Sequence, residues 1–192
     1  MPPAHNIPDW VARLGAEPCE ATPASWSRWT AEVATYSVTF DAMNAKRTAQ
    51  ERRDNWHDDY GKVLLRSTAA VERSVPEIEV VEAFRVSGWV ARWQDSFGSA
   101  PTWMRPWMHV VEVPRTVSEC LVAIRAASPL ARPWDVVAWR GDDVVFVECK
   151  AAKEKFTDAE QAFIWGAHKV GIPLDRFAVV RGAINYPERT SE

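Results

Sequence analysis

The chain has 192 residues, of which 47% are hydrophobic and 26% are charged, and its formal net charge is −3 at pH 7. This size fits one domain of ordinary length, or one core with an appendage, and the negative balance argues against a protein that coats nucleic acid without specificity. A local basic patch can still contact phosphates, whereas the absence of any apolar run of membrane-span length argues against a membrane protein.

The first 73 residues are predicted to form an irregular arm and a helical extension. Proline and small residues up to Pro23 indicate an arm with a short helical piece at Trp10–Leu14. From Ser25 to Arg73, the near absence of proline and glycine favours one or two long helices, although Tyr36–Phe40 can also form a strand. Basic residues between positions 46 and 53 either contact a phosphate backbone or lie on a solvated, ion-paired helix face.

A capping box predicts the first helix of the next region. Ser74 and Glu77 have the Ser-x-x-Glu spacing and Gly88 supplies a stop, so the helix should cover Val75–Ser87. Apolar residues follow Glu77 at helical spacing, which places its side chain on the packing face. The carboxylate therefore either caps the helix or takes part in a site beside it.

Two strands and a helix are predicted between this helix and residue 128. Trp89–Trp93 and Val110–Val113 have strand patterns, and Thr116–Ala127 is amphipathic at helical spacing. An aromatic loop between the two strands contains Trp103, Met104, Pro106 and Trp107. Its rings either stack on bases or pack in the core.

Pro133–Lys150 is predicted to form a β-hairpin of two apolar strands. Gly141 and Asp142 are a pair that closes a two-residue turn, so Arg140 should pair with Asp143. The run of valines makes both faces of both strands apolar, which is typical of strands covered on two sides. This hairpin is expected to lie inside the fold.

Two carboxylates and an ammonium group should meet where the hairpin ends. Counting outward from the turn places Asp135 opposite Glu148, and Lys150 lies on the same face while Cys149 turns away. Opposed carboxylates repel and raise one another's pKa, so a cation is expected beside them. Because Mg²⁺ binds one or two carboxylates, a carbonyl and waters, the predicted ligands are Asp135, Glu148 and the backbone carbonyl of Cys149.

The chemistry indicated is metal-assisted hydrolysis of a phosphodiester, in which Lys150 orients the attacking water or neutralises charge on the phosphate. The alternative is an ordinary surface ion pair, because Glu-x-Lys is a frequent triplet on solvated strands. The apolar surroundings favour the site, since charges that end a buried strand need partners or a function.

The segment after Lys150 is predicted to contain a loop, a helix and a closing strand. Lys153 and Lys155 either contact the phosphates of the scissile strand or are solvated loop charges. A capping box from Thr157 to Glu160 starts a helix that runs to Lys169, with Gln161 in its first turn. Glu160 is expected to act as a cap rather than as a ligand. Phe177–Val180 should be the closing strand, with a polar tail after it.

The order of these features resembles that of the PD-(D/E)xK nuclease superfamily. Asp135 comes first, Glu148-x-Lys150 follows after an apolar strand, and a helix bearing Gln161 and a further apolar strand come last. Within this superfamily the chain is most similar to VRR-NUC and Holliday-junction-resolvase-like proteins. The resemblance covers about Ser74–Gly182. One departure is that the family's Pro-Asp pair is Pro-Trp-Asp in this sequence.

This resemblance implies an α/β fold with a restriction-endonuclease-like αβββαβ core, a mixed sheet flanked by helices, after the N-terminal helical extension. The corresponding regions are 1–73, 74–184 for the core, and 185–192 for a polar tail. It also implies an Mg²⁺-dependent endonuclease, with Mn²⁺ as a substitute, which cleaves DNA, including structured or branched forms, and forms a homodimer. Glu77, with Glu79 as the fallback, would complete the metal site, and Gln161 would orient water or phosphate.

The alternative function is a non-catalytic nucleic-acid-binding or assembly subunit that keeps the nuclease-like fold. Three cysteines without disulfide or zinc spacing, and a start that lacks a signal-peptide pattern, favour a cytoplasmic location.

Overall fold

A computed structural model of the chain describes residues 8–41, 75–95, 102–104 and 113–185. The N-terminal elements are helix α1 (Asp9–Leu14) and strands β1 (Glu17–Pro18), β2 (Thr22–Trp26) and β3 (Trp29–Asp41). They are followed by α2 (Val75–Val86), β4 (Val90–Asp95), β5 (Thr102–Met104) and α3 (Arg115–Ala127). The last elements are β6 (Val136–Arg140), β7 (Asp143–Lys150), α4 (Asp158–Lys169), a 3₁₀ turn (Leu174–Arg176) and β8 (Phe177–Asn185).

The strands of the described segments form one mixed sheet of eight. Seven follow the order β1-β3-β8-β7-β6-β4-β5, and β2 pairs with β3 beside this path. β8 runs parallel to both of its neighbours, β3 and β7, whereas the other pairs are antiparallel. The protein is therefore of the mixed α/β class, with helices packed against the sheet.

The helices predicted from Ser25 onward are wrong for residues 25–41, which form strands. The segment is rich in Thr, Val, Tyr and Trp, which favour extended backbone, and its burial alternates along much of β3. An absence of proline and glycine is a weaker signal for a helix than this β-branched and aromatic content is for a strand. The alternative strand at Tyr36–Phe40 is confirmed, while residues 42–73 and the basic positions among them lie outside the described residues.

Most of the predicted elements from Val75 onward are confirmed within one or two residues. The hairpin has the expected register, since Arg140 pairs with Asp143 and Val137 with Phe146. Two expectations are wrong: Trp103 and Met104 lie in a strand rather than a loop, and β8 continues to Asn185 because its pairing with β3 continues. Pro106, Trp107 and the strand expected at residues 110–112 lie outside the described residues.

The sheet has an apolar core on each face. One core packs beneath α1 and α2, and the other packs beneath α3, α4 and the β2–β3 hairpin. The second requires a close helix contact: a Cβ at Gly166 on α4 would lie 2.8 Å from the backbone oxygen of Ile124 on α3. Across the described segments, no helix combines the length and the apolar character that crossing a bilayer requires.

Candidate active site

Trp134 fixes the position at which β6 begins. Its side chain is 1% exposed and stacks on Phe156, with ring centroids 5.5 Å apart, while it meets Phe177 edge-on at 5.2 Å. Its indole nitrogen donates to the backbone oxygen of Glu160 over 3.3 Å. Trp134 is therefore a core anchor, and its bond to Glu160 ties the residue before Asp135 to the first turn of α4.

Two backbone N–H groups donate to the carboxylates of Asp135 and Glu148 and hold the two acids close together. The Cys149 N–H donates to Asp135 Oδ2 over 2.8 Å, and the Asp135 N–H donates to Glu148 Oε2 over 3.3 Å. The Asp135 carbonyl accepts from the Gln94 N–H at 2.6 Å, which attaches β4 to the same point. The two acids thus meet at one end of the hairpin, as their register predicts.

Lys150 lies among three carboxylates. Its Nζ is 3.0 Å from Glu148 Oε1, 2.7 Å from Glu160 Oε2 and 3.4 Å from Glu154 Oε1. The side chains of Lys150 and Glu148 are 4% and 5% exposed, so their pair is shielded from water. The ammonium group is therefore held in a fixed position between the carboxylates of Glu148 and Glu160.

The pKa values of both acids are raised. Burial raises the pKa of Asp135 to about 6, against the bond from Cys149 and the charge of Lys150, which lower it. Burial, followed by the charges of Asp135 and Glu160, raises the pKa of Glu148 well above its ordinary value, although Lys150 opposes this. Paired acids with raised pKa values are typical of functional sites.

The pKa values of Lys150 and Cys149, at the end of β7, are both raised, but by different causes. Burial alone lowers the pKa of Lys150, but Glu148 and Glu160 outweigh that effect and raise it, so the side chain is an ammonium ion. Burial, and then the charge of Glu77, raise the pKa of Cys149 well above its ordinary value. Cys149 is therefore a protonated thiol and not a nucleophile.

Glu77 and Gln161 occupy different surroundings from the central acids. Glu77 lies in the first turn of α2, close enough to Cys149 to act on its pKa, on the face of β7 opposite to Glu148 and Lys150. Gln161 Oε1 accepts from the Ser25 N–H at 3.0 Å and from Ser25 Oγ at 3.3 Å. Glu79, the fallback to Glu77, lies two residues further along α2.

The loop after Lys150 is braced by Arg181 from β8. The Nη1 of Arg181 donates to the carbonyl oxygens of Ala151, Ala152 and Glu154 at 2.9–3.3 Å, and its Nη2 donates to Thr22 Oγ1 at 3.1 Å. Lys153 and Lys155, in and just after this loop, are exposed. Both lysines are therefore in contact with solvent in the segment that follows Lys150.

Glu160 and Glu154 were not predicted as partners of Lys150. The capping box is confirmed, because Glu160 Oε2 accepts from the Thr157 N–H at 2.9 Å, but the same oxygen also binds Lys150. The capping motif already explains why a glutamate stands at position 160, so the sequence gives no reason to expect that it also contacts Lys150. For Glu154 the sequence offered no signal, because four-residue spacing brings side chains together on a helix, and this segment is a strand end followed by a turn.

The donor set fits a hard divalent cation in charge. Four carboxyl groups, those of Asp135, Glu148, Glu154 and Glu160, lie around one ammonium group, so the acids outnumber the cation. Within the described ranges, no three His, Cys, Asp or Glu side chains are arranged as a metal-binding group. Mg²⁺ commonly takes only one or two carboxylates, with water and substrate phosphate as its other ligands, and Asp135 and Glu148 meet that requirement.

No protein-family model matches this chain, and comparisons with curated proteins and with solved structures likewise find no match.

Proposed function

We propose that this protein is a divalent-metal-dependent nuclease that hydrolyses phosphodiester bonds in DNA, including structured or branched DNA. The observation that carries the proposal is the convergence of Asp135, Glu148 and Lys150 at one end of the β6–β7 hairpin, with contacts of 2.8–3.3 Å. The acids and the amine come from an interior part of the sheet, where charges are costly to bury unless they are paired, and a bound divalent cation would pair the acids.

The order of elements supports a restriction-endonuclease-like core. The resemblance implies a helix, three strands, a helix and a strand, and the same order occurs here. The helix is α2, the three strands are the antiparallel meander β4, β6 and β7, and the last two elements are α4 and the parallel strand β8. Here β5 and α3 are inserted between the first and second strands of this core. Fold alone does not determine function, so the proposal depends on the site.

The residues have separate roles in the proposed reaction. Asp135, Glu148 and the Cys149 carbonyl would hold Mg²⁺ or Mn²⁺, which when bound supplies Lewis acidity and lowers the pKa of a bound water. Lys150 donates to the attacking water or to a phosphate oxygen and offsets the charge that develops there. Hydrolysis adds water across the P–O bond that breaks. Lys153 and Lys155 contact flanking phosphates.

The outer residues and the setting complete the proposal. Glu160 keeps the Lys150 ammonium in place, and Gln161 orients the first turn of α4 against β2 through its bonds to Ser25. Glu77 supports the site from the opposite face of β7.

We place the nuclease in the cytoplasm, where its three free cysteines stay reduced, and as a homodimer on DNA.

One observation favours a non-catalytic nucleic-acid-binding or assembly subunit instead. Lys150 is paired with three carboxylates, and such a closed ionic network can fix a fold without performing a reaction. The two functions differ in metal binding. Calorimetry with Mg²⁺ or Mn²⁺ should show a binding event that Asp135→Ala abolishes if the protein is the enzyme, and no such event if it is the subunit.

The decisive experiment is a panel of branched, nicked, duplex and single-stranded DNA, with matching RNA, incubated with Mg²⁺. We expect cleavage that falls at least 100-fold in Lys150→Ala. Arg115→Ala is the matched control, because Arg115 is a cation with a 90% exposed side chain on α3, paired with Glu119. Cleavage by Lys150→Ala at the wild-type rate would overturn the proposal.

A further inference from the structure

The tip of the β2–β3 hairpin packs on the outer face of α4 through aromatic and basic side chains. We call this set the tryptophan surface: Trp26, Arg28, Trp29, Trp165, His168 and Lys169. The rings of Trp26 and Trp165 have centroids 6.4 Å apart, and those of Trp29 and His168 are stacked at 5.4 Å. Lys169 Nζ lies 5.8 Å from the centre of the Trp165 ring.

The three tryptophans of this surface are only partly buried. Trp26 and Trp29 pack against the core that contains Phe146, Phe163 and Phe177, yet all three indoles keep part of their area in water. Two of the indoles face each other across the strand pair, since Trp26 pairs with Trp29. Aromatic rings with one side packed and one side wet suit a binding surface.

The charge of the tryptophan surface favours an anionic partner. Lys169, and Arg28 in the turn between Trp26 and Trp29, are both exposed. The first acid along β3, Glu32, lies on the other face of the strand, because burial alternates from Trp29 through Ala31 to Val33. Cations interspersed with indoles are the combination that holds an unpaired polynucleotide, whose bases stack on rings while its phosphates meet the cations.

The tryptophan surface also lies next to the candidate active site. Glu160 and Gln161 are in the first turn of α4, and the surface occupies the second half of the same helix. From Glu160 to His168 the helix rises about 12 Å, which an unpaired strand spans in roughly two to four nucleotides. The N–H of Ser25, beside Trp26, donates to Gln161, so the β2–β3 hairpin is fixed relative to the first turn of α4.

We propose that the tryptophan surface binds an unpaired strand of nucleic acid and leads it to the acids around Lys150. This inference rests on the proposed function, because it names the form of the substrate at that site. It places the single-stranded part of a branched, flapped or frayed molecule on the indoles, two to four nucleotides from the bond that is cut.

Binding can be tested separately from cleavage. Fluorescence anisotropy in EDTA, with labelled 12-mers of dT and rU and with a blunt 12-base-pair duplex, measures the affinity of the full chain. We expect the single strands to bind more tightly than the duplex, with DNA and RNA compared directly. Trp26→Leu and Trp29→Leu should each weaken single-strand binding about five- to 100-fold.

Two exposed substitutions keep the test valid if the tryptophan variants fail to fold. Arg28→Gln and Lys169→Gln should each weaken binding several-fold and lower the slope of log K against log salt by about 0.7. The matched control is Arg140→Gln, which removes a cation from above Trp89, at 4.6 Å, near the turn of the β6–β7 hairpin. That variant should bind like the wild type.

Three results would overturn the inference. The first is wild-type affinity in folded Arg28→Gln and Lys169→Gln, and the second is a duplex bound as tightly as the single strands. The third is a dimer, seen by light scattering, that Trp26→Leu dissociates, because the tryptophan surface would then be an interface between two copies. The proposed nuclease activity has its own readout, the loss of cleavage in Lys150→Ala, so the two failures are distinguishable.

Discussion

Trp134 and Glu160 are joined by the bond from the indole N–H to the backbone oxygen of Glu160, 3.3 Å long, and this bond couples the two halves of the candidate site. Trp134 precedes Asp135 on the chain, and the Glu160 side chain contacts Lys150 at 2.7 Å. Asp135, just before β6, and Lys150, at the end of β7, are therefore positioned through one buried aromatic residue.

Substitution of Trp134 should affect stability and activity to different degrees. Trp134→Ala leaves a large cavity and should lower the free energy of unfolding by about 3 to 5 kcal/mol. Trp134→Phe keeps most of the packing but loses the N–H donor, which should cost about 1 to 3 kcal/mol. Urea unfolding measures both changes. We expect Trp134→Phe to lose cleavage activity even where it is fully folded, and full activity in that variant would disprove the coupling.

Glu160→Gln should separate the capping role of Glu160 from its role beside Lys150. Glutamine still serves a capping box, so the melting temperature should change little. The charge opposite Lys150 is lost, so the pKa of Lys150 should fall and cleavage should drop about 10- to 100-fold, the usual effect of a supporting residue. The control is Thr157→Ala, which removes the cap and should cost about 0.5 to 2 kcal/mol in stability without the drop in cleavage.

The raised pKa of Asp135 predicts a stability that depends on pH. Because the folded value is about 6 and the ordinary value 3.8, ionisation of this carboxyl disfavours the fold above pH 6, and the penalty disappears as the pH falls toward 4. The wild type should therefore gain stability between pH 7.5 and pH 5. Thermal melts in EDTA would show this gain.

Asp135→Asn removes the ionisable group while its amide oxygen can still accept the bond from Cys149. At pH 7.5 we expect this variant to be more stable than the wild type by about 1 to 3 kcal/mol, which corresponds to roughly 2 to 12 °C in Tm. Its dependence on pH should be weaker, with the remainder due to Glu148. Asp175→Asn, at a residue with an 81% exposed side chain, is the control and should melt like the wild type. If Asp135→Asn were less stable than the wild type at pH 7.5, the prediction that ionised Asp135 destabilises the fold would be wrong.

Arg181→Lys should loosen the loop after Lys150. A lysine cannot donate to three carbonyls and to Thr22 at once, so the amides of residues 152–155 should exchange hydrogen about ten times faster or more. Under the proposed function, cleavage should fall because Lys153 and Glu154 lose their fixed positions. Arg176→Gln removes a partly exposed pair to Asp143 and should change stability by less than about 1 kcal/mol. Unchanged exchange in Arg181→Lys would show that the loop does not depend on this guanidinium group.

The elements that the sequence predicted correctly are those with strong local signals. The two-residue turn at Gly141 and Asp142 determines the pairing of β6 with β7, and the capping box at Thr157 determines where α4 begins. The contact of Lys150 with Glu160 depends instead on how α4 packs against β7, which no local pattern encodes. The strands before residue 42 were missed because an absence of helix breakers is a weaker signal than β-branched and aromatic content.

The position of β8 has a consequence for how the chain folds. β8 lies between β3 and β7, and its residue Ala178 pairs with Ala34, which is 178 − 34 = 144 positions earlier. Contacts at such separation form slowly, because a long loop must close before they yield any free energy. Until they form, β3 and β7 each present an unpaired edge to other molecules. Aggregation during refolding should therefore increase with protein concentration, and a chaperone that shields strand edges should improve the yield.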